Sequence, residues 1–132
     1  MAKVIKGCLK HFYDTTCHFS GTTFPTANVF FPDICEIRLE LRKWETSEHE
    51  CLRTMAILML VKFEKYWDEC SLVLAIALVL DPRFKMDLVQ YYYDRIYGDN
   101  SDRYVQRVRN AFVDLFNEYG GDFLIHLIRM VL

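Results

Sequence analysis

The stretch WDECSLVLAIALVLDPRFKMDLVQYYYDRIYGD, residues 67–99, decides the fold that this sequence predicts. An apolar run from Leu72 to Leu80 stops at Asp81-Pro82-Arg83, and a tyrosine-rich amphipathic segment follows at once. Because a proline ring fixes the backbone and removes an amide donor, an apolar helix is expected to stop at this point. The stretch therefore predicts a buried helix, a sharp corner and a second helix.

Two details of this stretch have alternatives. The length and the alanines of residues 70–80 favour a buried helix, but the β-branched residues Val73, Ile76 and Val79 also allow a strand. Asp81 is interpreted as the cap of a helix spanning about 82–97, with Arg83 as a nearby ion-pair partner. The functional alternative, in which Asp81 is a metal ligand or an acid, is the weaker one.

Outward from this stretch, apolar residues recur at helical spacing. In the segment 26–45, Phe30, Ile34, Ile37, Leu41 and Trp44 follow one another at steps of three and four residues. Further helices are predicted over about 2–19, 48–68 and 101–119, and residues 122–132 have room for one more. The predicted fold is mainly α, a helical bundle of about five to seven helices. The apolar stretch Met55–Val61 further predicts that the helix 48–68 is covered on more than one side.

Length, charge and cysteine content limit the function classes. A chain of 132 residues forms at most one domain. A formal net charge of −2 argues against binding nucleic acid through overall charge, although a local contact remains open. The longest apolar run has nine residues, whereas a membrane-spanning helix needs about 20, so no membrane segment is expected. Five widely spaced cysteines without a signal-peptide pattern predict reduced thiols inside the cell.

The sequence holds five Cys and four His, which are the residue types that structural zinc sites use. The compact group is Cys8, His11, Cys17 and His18, but its spacing does not give the close ligand pairs that structural zinc sites use. Solvated histidines and half-buried thiols are the favoured interpretation, and no metal site is predicted. No nucleotide-binding glycine motif and no nucleophile–base pattern occurs in the sequence, so no catalytic residue is assigned.

Two groups of residues have chemistry suited to nucleic acid. Arg103, Arg107 and Arg109 are the nearest approach to a basic patch, and Arg103 and Arg107 share a helix face. These three arginines are the candidate nucleic-acid contacts, with a solvated helix face as the favoured alternative. The run Tyr91–Tyr93 could stack on bases. Three consecutive residues fan over about 200° of a helix, so at least one must face the core, and packing is the favoured role.

Three segments, taken together, resemble plant hAT-superfamily transposases. They are FYDTTCHFSGTTFPTANVFFPDICEIRLELRKW (12–44), MLVKFEKYWDECSLVLAIALVLDPRFKMDLVQYYYDRIYGD (59–99) and VRNAFVDLFNEY (108–119). Within that superfamily they look most like the BED-zinc-finger RICESLEEPER-like group. The resemblance covers about residues 5–119, which gives a transposase-like part, 1–119, and a divergent tail, 120–132.

The resemblance also implies what this chain lacks. Members of the family have a BED zinc finger that binds DNA, an RNase H-like core with two Asp and one Glu around divalent metal, and a dimerisation region. No residue of this sequence matches those motifs, so no catalytic, metal-binding or cofactor role is transferred. The matching part is expected to be the helical segment attached to the RNase H-like core.

The resulting interpretation is a non-catalytic fragment of a hAT-like or domesticated transposase whose parent binds DNA in the nucleus. The alternative is a stand-alone helical protein-interaction module derived from a transposon, which the acidic charge balance and high aromatic content favour. An independent enzyme is the weakest hypothesis, because a two-metal site needs several converging carboxylates. The implied partners are DNA and either a second copy of the chain or another domain of the parent.

Overall fold

The computed structural model describes residues 2–20, 27–120 and 129, and it confirms that the fold is mainly α. Within this part of the chain there are helices and turns but no β-strand. The elements, in chain order, are α1 (Ala2–Ser20), α2 (Ala27–Glu45), α3 (Glu50–Val79), α4 (Lys85–Tyr97), a 3₁₀ turn (Gly98–Asn100) and α5 (Ser101–Tyr119). Apart from Gly120 and Arg129, the predicted divergent tail lies outside the described residues.

Helix α3 joins two segments that the sequence suggested were separate. It runs for 30 residues without interruption, so the expected boundary between 48–68 and 70–80 does not exist, and the strand alternative is wrong. The physical reason is that no glycine or proline occurs between Trp67 and Leu80, so nothing stops propagation of the helix. At about 1.5 Å per residue, α3 is about 45 Å long and spans the molecule.

The corner after α3 is built by Asp81, but Asp81 does not occupy the N-cap of the next helix. Its Oδ1 accepts a hydrogen bond from the backbone N–H of Arg83 at 3.0 Å, and its Oδ2 pairs with the Arg83 guanidinium at 2.6 Å. Helix α4 begins only at Lys85, after Phe84. The predicted ion pair is therefore correct, whereas the predicted cap position is wrong. The carboxylate stabilises the turn itself through its bonds to Arg83. Pro82 also keeps the residue before it out of the helical region.

Helices α2 and α3 form an antiparallel pair around which the other helices pack. Phe31 contacts Trp67 and Arg38 contacts Glu64, so the order of contacts reverses along the two helices. Two apolar clusters lie along this pair. One is shared with α4 and α5 and contains Phe31, Cys35, Trp67, Ala75, Leu78, Val79, Met86, Val89, Tyr92, Tyr93, Val105, Val108 and Phe112. The other is shared with α1 and contains Cys8, Ile37, Leu41, Trp44, Leu52, Ala56 and Leu60.

A tight corner at Gly98 joins α4 to α5. Gly98 has φ 57° and ψ −126°, a combination that side-chain-bearing residues rarely adopt because the Cβ would clash. The 3₁₀ turn that begins there brings Tyr97, at the end of α4, next to Tyr104 in the first turn of α5. The glycine therefore positions two aromatic rings that are seven residues apart.

The outer side of α3 is open, contrary to expectation. Leu58 and Val61 are 64% and 69% exposed, and Ile57 and Val73 are also exposed. The prediction that this helix is covered on more than one side is therefore wrong for the described structure. The inner side of the helix, with Leu52, Ala56, Leu60 and Trp67, is buried. Among the described residues no helix combines the length and apolar character needed to cross a membrane.

Candidate nucleic-acid interface

Two of the three candidate arginines lie together at one surface depression. Arg103 and Arg107 on α5 line a concavity of about 750 Å³, together with Leu72, Tyr104, Gln106, Asn110, Ala111 and Asp114. Arg109 does not line it. Arg109 follows Arg107 by two residues, which corresponds to a rotation of about 200° around the helix. Arg109 therefore lies on the other side of α5. The structure thus divides the sequence-predicted group into a pair and a separate arginine.

These arginines differ from the other arginines between α2 and α5 in having no bonded partner for their side chains. Arg38, Arg42, Arg83 and Arg95 each form an ion pair with a carboxylate, and Arg53 donates to the backbone oxygen of Ser47. By contrast, the side chains of Arg103, Arg107 and Arg109 are exposed and form neither a hydrogen bond nor an ion pair with the described residues. Asp114 lines the same depression without pairing with them, so these guanidinium groups remain available to an anionic partner.

A cluster of tyrosines forms the wall next to the arginine pair. A smaller cavity of about 250 Å³ adjoins the larger depression, and it is lined by Asp68, Ser71, Leu72, Tyr93, Tyr97, Tyr104, Arg107 and Val108. Leu72, Tyr104 and Arg107 line both cavities, so the two form one continuous surface. The interface therefore combines guanidinium groups, side-chain amides and aromatic rings.

The tyrosine triplet mostly packs in the core. Tyr92 and Tyr93 are buried against Phe31, and Tyr91 is exposed beside Arg95. The expectation that at least one of the three faces the core is confirmed. Burial raises the pKa of Tyr92 to about 12, and it also raises the pKa values of Tyr93 and Tyr97. These hydroxyls are therefore neutral at physiological pH, and the cluster adds no charge to the interface.

The cysteines do not form a reactive or metal-binding centre in the described part of the chain. All five thiols are free. Burial raises the pKa of Cys35 strongly and that of Cys8 as well, which disfavours the thiolate that a nucleophile or a metal ligand requires. Cys17 is exposed, and the side chains of His11 and His18 lie outside the described residues. No group of three or more Cys, His, Asp or Glu converges within the described residues.

Sequence reasoning missed two residues that shape the interface. Tyr104 lines both cavities, and its ring stacks on that of Tyr97 with centroids 3.7 Å apart and an interplanar angle of 5°. Arg38, which helical spacing alone would not distinguish from surface arginines, is buried behind Tyr97. The available signal was the concentration of tyrosines on either side of Gly98. That signal does not show which two rings meet, because the angle between α4 and α5 at the Gly98 corner decides which rings come together.

Comparison with known proteins identifies the family. The model of the hAT-like transposase, RNase-H fold family matches residues 28–119. Zinc finger BED domain-containing protein RICESLEEPER 1 of Oryza sativa subsp. japonica is 42% identical over 119 residues, which is 89% of this chain and 16% of that protein. The Putative AC transposase of Zea mays is 39% identical over 116 residues, covering 85% of this chain and 14% of its own length.

The similarity extends to a more distant plant relative and confirms the resemblance found in the sequence. Zinc finger BED domain-containing protein DAYSLEEPER of Arabidopsis thaliana is 34% identical over 111 residues, or 84% of this chain and 16% of that protein. The chain thus spans about one sixth of the length of these relatives. No solved structure matches the chain. Because the family model covers most of the sequence, the chain belongs to the hAT-like transposase, RNase-H fold family.

Proposed function

We propose that this chain is a non-catalytic segment of a hAT-like or domesticated transposase, and that its α5 helix contacts the backbone of the DNA that the parent protein binds. The observation that carries the proposal is the pair Arg103 and Arg107. Both are exposed, both lack an acidic partner among the described residues, and both line one depression. Lysine and arginine groups in such positions neutralise phosphates and release bound counterions.

The absence of catalysis is proposed on chemical grounds. Phosphoryl transfer by two metal ions requires several carboxylates that converge on one point. In the described part of the chain no group of three or more Cys, His, Asp or Glu converges, Asp81 is engaged by Arg83, and Glu64 pairs with Arg38 and Arg42. The segment then acts as a scaffold and contact surface beside a catalytic core supplied by other parts of the parent. Relatives that are named as a transposase and as zinc finger proteins support a place of action in the nucleus.

Replacing Arg103 and Arg107 together with alanine is expected to weaken binding to duplex DNA and to flatten its salt dependence. Each lost phosphate contact removes about 0.9 from the slope of log affinity against log salt concentration, so the double variant should lose about 1.8. The measurement is fluorescence anisotropy of a labelled 20-base-pair duplex with the purified chain at several salt concentrations. The net charge of −2 predicts weak binding of the native chain, with a dissociation constant of about 10⁻⁴ to 10⁻⁶ M.

Arg109→Ala is the matched control for this experiment. It removes the same charge from the same helix, but from the side of α5 away from the depression. For each arginine removed, the slope of log affinity against log salt concentration should change by less than half as much in Arg109→Ala as in the double variant. Equal losses per arginine would indicate a general charge effect and contradict the proposed interface, as would binding that does not respond to salt.

A second candidate function, a stand-alone protein-interaction module, is favoured by the open side of α3. Leu58 and Val61 lie three residues apart on this helix and are both largely exposed, and Ile57 beside them is exposed as well. Exposed apolar patches of this kind commonly mark protein–protein contacts. A second copy of the chain or a further domain of the parent is the proposed partner.

For this alternative, the purified chain is expected to self-associate, and Leu58→Glu/Val61→Glu should convert it to a monomer. A carboxylate placed in an apolar contact must lose its water, and this cost disfavours association by at least about tenfold. Light scattering over a range of concentrations measures the mass, and Tyr119→Glu on α5 is the exposed-site control. A native chain that stays monomeric and binds no apolar dye would remove the basis for this function.

A further inference from the structure

A cluster of planar groups from four helices packs beside the proposed interface. The rings of Phe63 and Trp67 stack with centroids 6.2 Å apart. The guanidinium carbon of Arg38 lies 5.4 Å from the Trp67 centroid and 5.5 Å from the Tyr97 centroid. Tyr97 stacks on Tyr104 with centroids 3.7 Å apart. The cluster draws on α3, α2, α4 and α5, and Tyr104 lies at its edge beside the depression.

The orientation of the last two rings is fixed from several directions. Trp67 donates a hydrogen bond from Nε1 to the Tyr97 hydroxyl at 2.8 Å. The ring of Tyr93 meets Tyr97 edge to face at 5.2 Å and 80°, and it meets Tyr104 at 6.5 Å and 79°. Edge-to-face contacts of this kind hold aromatic rings in place. Tyr104 therefore presents a rigid plane, so a ligand ring would not have to order it on binding.

Tyr104 stacks on the ring of Tyr97, and no other aromatic ring or guanidinium in the described part of the chain stacks on it. The half-buried Tyr104 ring lines both the cavity of about 750 Å³ and the adjoining one of about 250 Å³. A planar group that entered from this side would continue the stack by one layer.

The groups around Tyr104 select for a nucleotide. Arg103 and Arg107, one on each side of Tyr104 in the sequence of α5, supply cations for a phosphate. Gln106 and Asn110, which hydrogen-bond to each other at 2.9 Å, supply amides that can pair with a base edge. Asp68 and Asp114 also line these cavities and disfavour a long run of phosphates. The arrangement fits one base with one or two phosphates better than an extended backbone.

We propose that Tyr104 is a stacking platform for an unpaired nucleobase, whose neighbouring phosphates lie on Arg103 and Arg107. This inference rests on the proposed DNA contact and narrows it to single-stranded or locally opened DNA. Bases inside a duplex are covered on both faces by their neighbours, so they cannot reach the platform. Stacking of this kind tolerates any base, because every base has a flat aromatic face.

The test compares three DNA probes with the purified 132-residue chain. They are an oligothymidylate of eight nucleotides, the same oligomer with abasic sugars in place of its nucleotides, and a duplex. The native chain should bind the oligothymidylate about tenfold more tightly than the abasic oligomer. Tyr104→Leu should remove most of that difference, whereas Tyr104→Phe should keep it and Tyr119→Ala should not alter it. Tyr119→Ala, which lies outside both cavities, should also leave binding to the duplex unchanged.

The outcomes separate this inference from the function on which it rests. If the native chain binds the oligothymidylate and the abasic oligomer equally, with a salt slope that depends on Arg103 and Arg107, the platform is overturned and the backbone contact stands. This comparison uses the native chain, so it is informative even if a Tyr104 variant fails to fold. If no probe binds at any salt concentration, both proposals fail. Tyr104→Leu binding as well as the native chain would also overturn the platform.

Discussion

Phe31→Ala is expected to lower the free energy of unfolding by about 3–5 kcal/mol. Phe31 is fully buried, and its ring contacts those of Trp67, Tyr92 and Tyr93 at centroid distances of 6.4, 6.1 and 5.9 Å. Removing the ring loses its burial and leaves a cavity where α2, α3 and α4 meet. Because the three neighbours are large rings attached to two other helices, α3 and α4, they cannot collapse into the space without moving a helix.

Urea unfolding followed by far-ultraviolet circular dichroism measures this effect. Tyr119→Ala is the control, because it removes a similar ring from a site that is 70% exposed, and it should change stability by no more than about 0.5 kcal/mol. Phe31→Leu should fall between the two, since it retains most of the apolar volume. A loss below about 1 kcal/mol for Phe31→Ala would show that these three helices do not share a close-packed core.

Arg38→Ala is expected to cost about 3 kcal/mol, at the lower limit for breaking a buried ion pair. Arg38 is 8% exposed, its NH2 lies 3.0 Å from Oε1 of Glu64, and its guanidinium packs against the rings of both Trp67 and Tyr97. Its truncation would leave the Glu64 carboxylate with only the more exposed Arg42 and would open a gap beside these two rings. The lower limit is appropriate because the Glu64 side chain is still 28% exposed.

Two further variants separate charge from shape at this position. Arg38→Lys keeps the positive charge but lacks the flat guanidinium, so it should recover less than half of the lost stability. Arg38→Met with Glu64→Met should be close to neutral, because the pair is replaced by apolar groups of similar volume and the buried Nε, which has no hydrogen-bond partner among the described residues, is removed. If Arg38→Lys were as stable as the native chain, the contacts of the guanidinium with the rings of Trp67 and Tyr97 would contribute nothing to stability.

The helices themselves were predictable because their signals are local. Apolar spacing along α2 and the Asp81-Pro82 corner each depend on a few neighbouring residues, and both occur where the sequence places them. Errors arose where a local signal was ambiguous. Residues 67–80 contain no helix breaker, so α3 continues through them, although the sequence suggested separate segments over 48–68 and 70–80. The Asp81 carboxylate could serve a turn or a helix, and its pairing with Arg83 favoured the turn.

The candidate interface was only partly predictable. The spacing of Arg103 and Arg107 is enough to place them on one face of the helix. Nothing in the sequence predicts the depression that they line. The open outer side of α3 was missed for a related reason. Apolar residues around a helix indicate burial only if a neighbour is there to cover them, and within the described residues no helix covers Leu58 and Val61.

The sequence by itself determined the helical class, the corner at Asp81-Pro82 and the family, because periodicity, turn chemistry and residue identity are all read along one chain. Only the tertiary structure decided that Arg38 is buried and that Tyr97 stacks on Tyr104. Both depend on how separate helices are oriented. Spacing along a helix sets which residues share a face, but the corner at Gly98 and the packing of α2 on α3 set what each face meets.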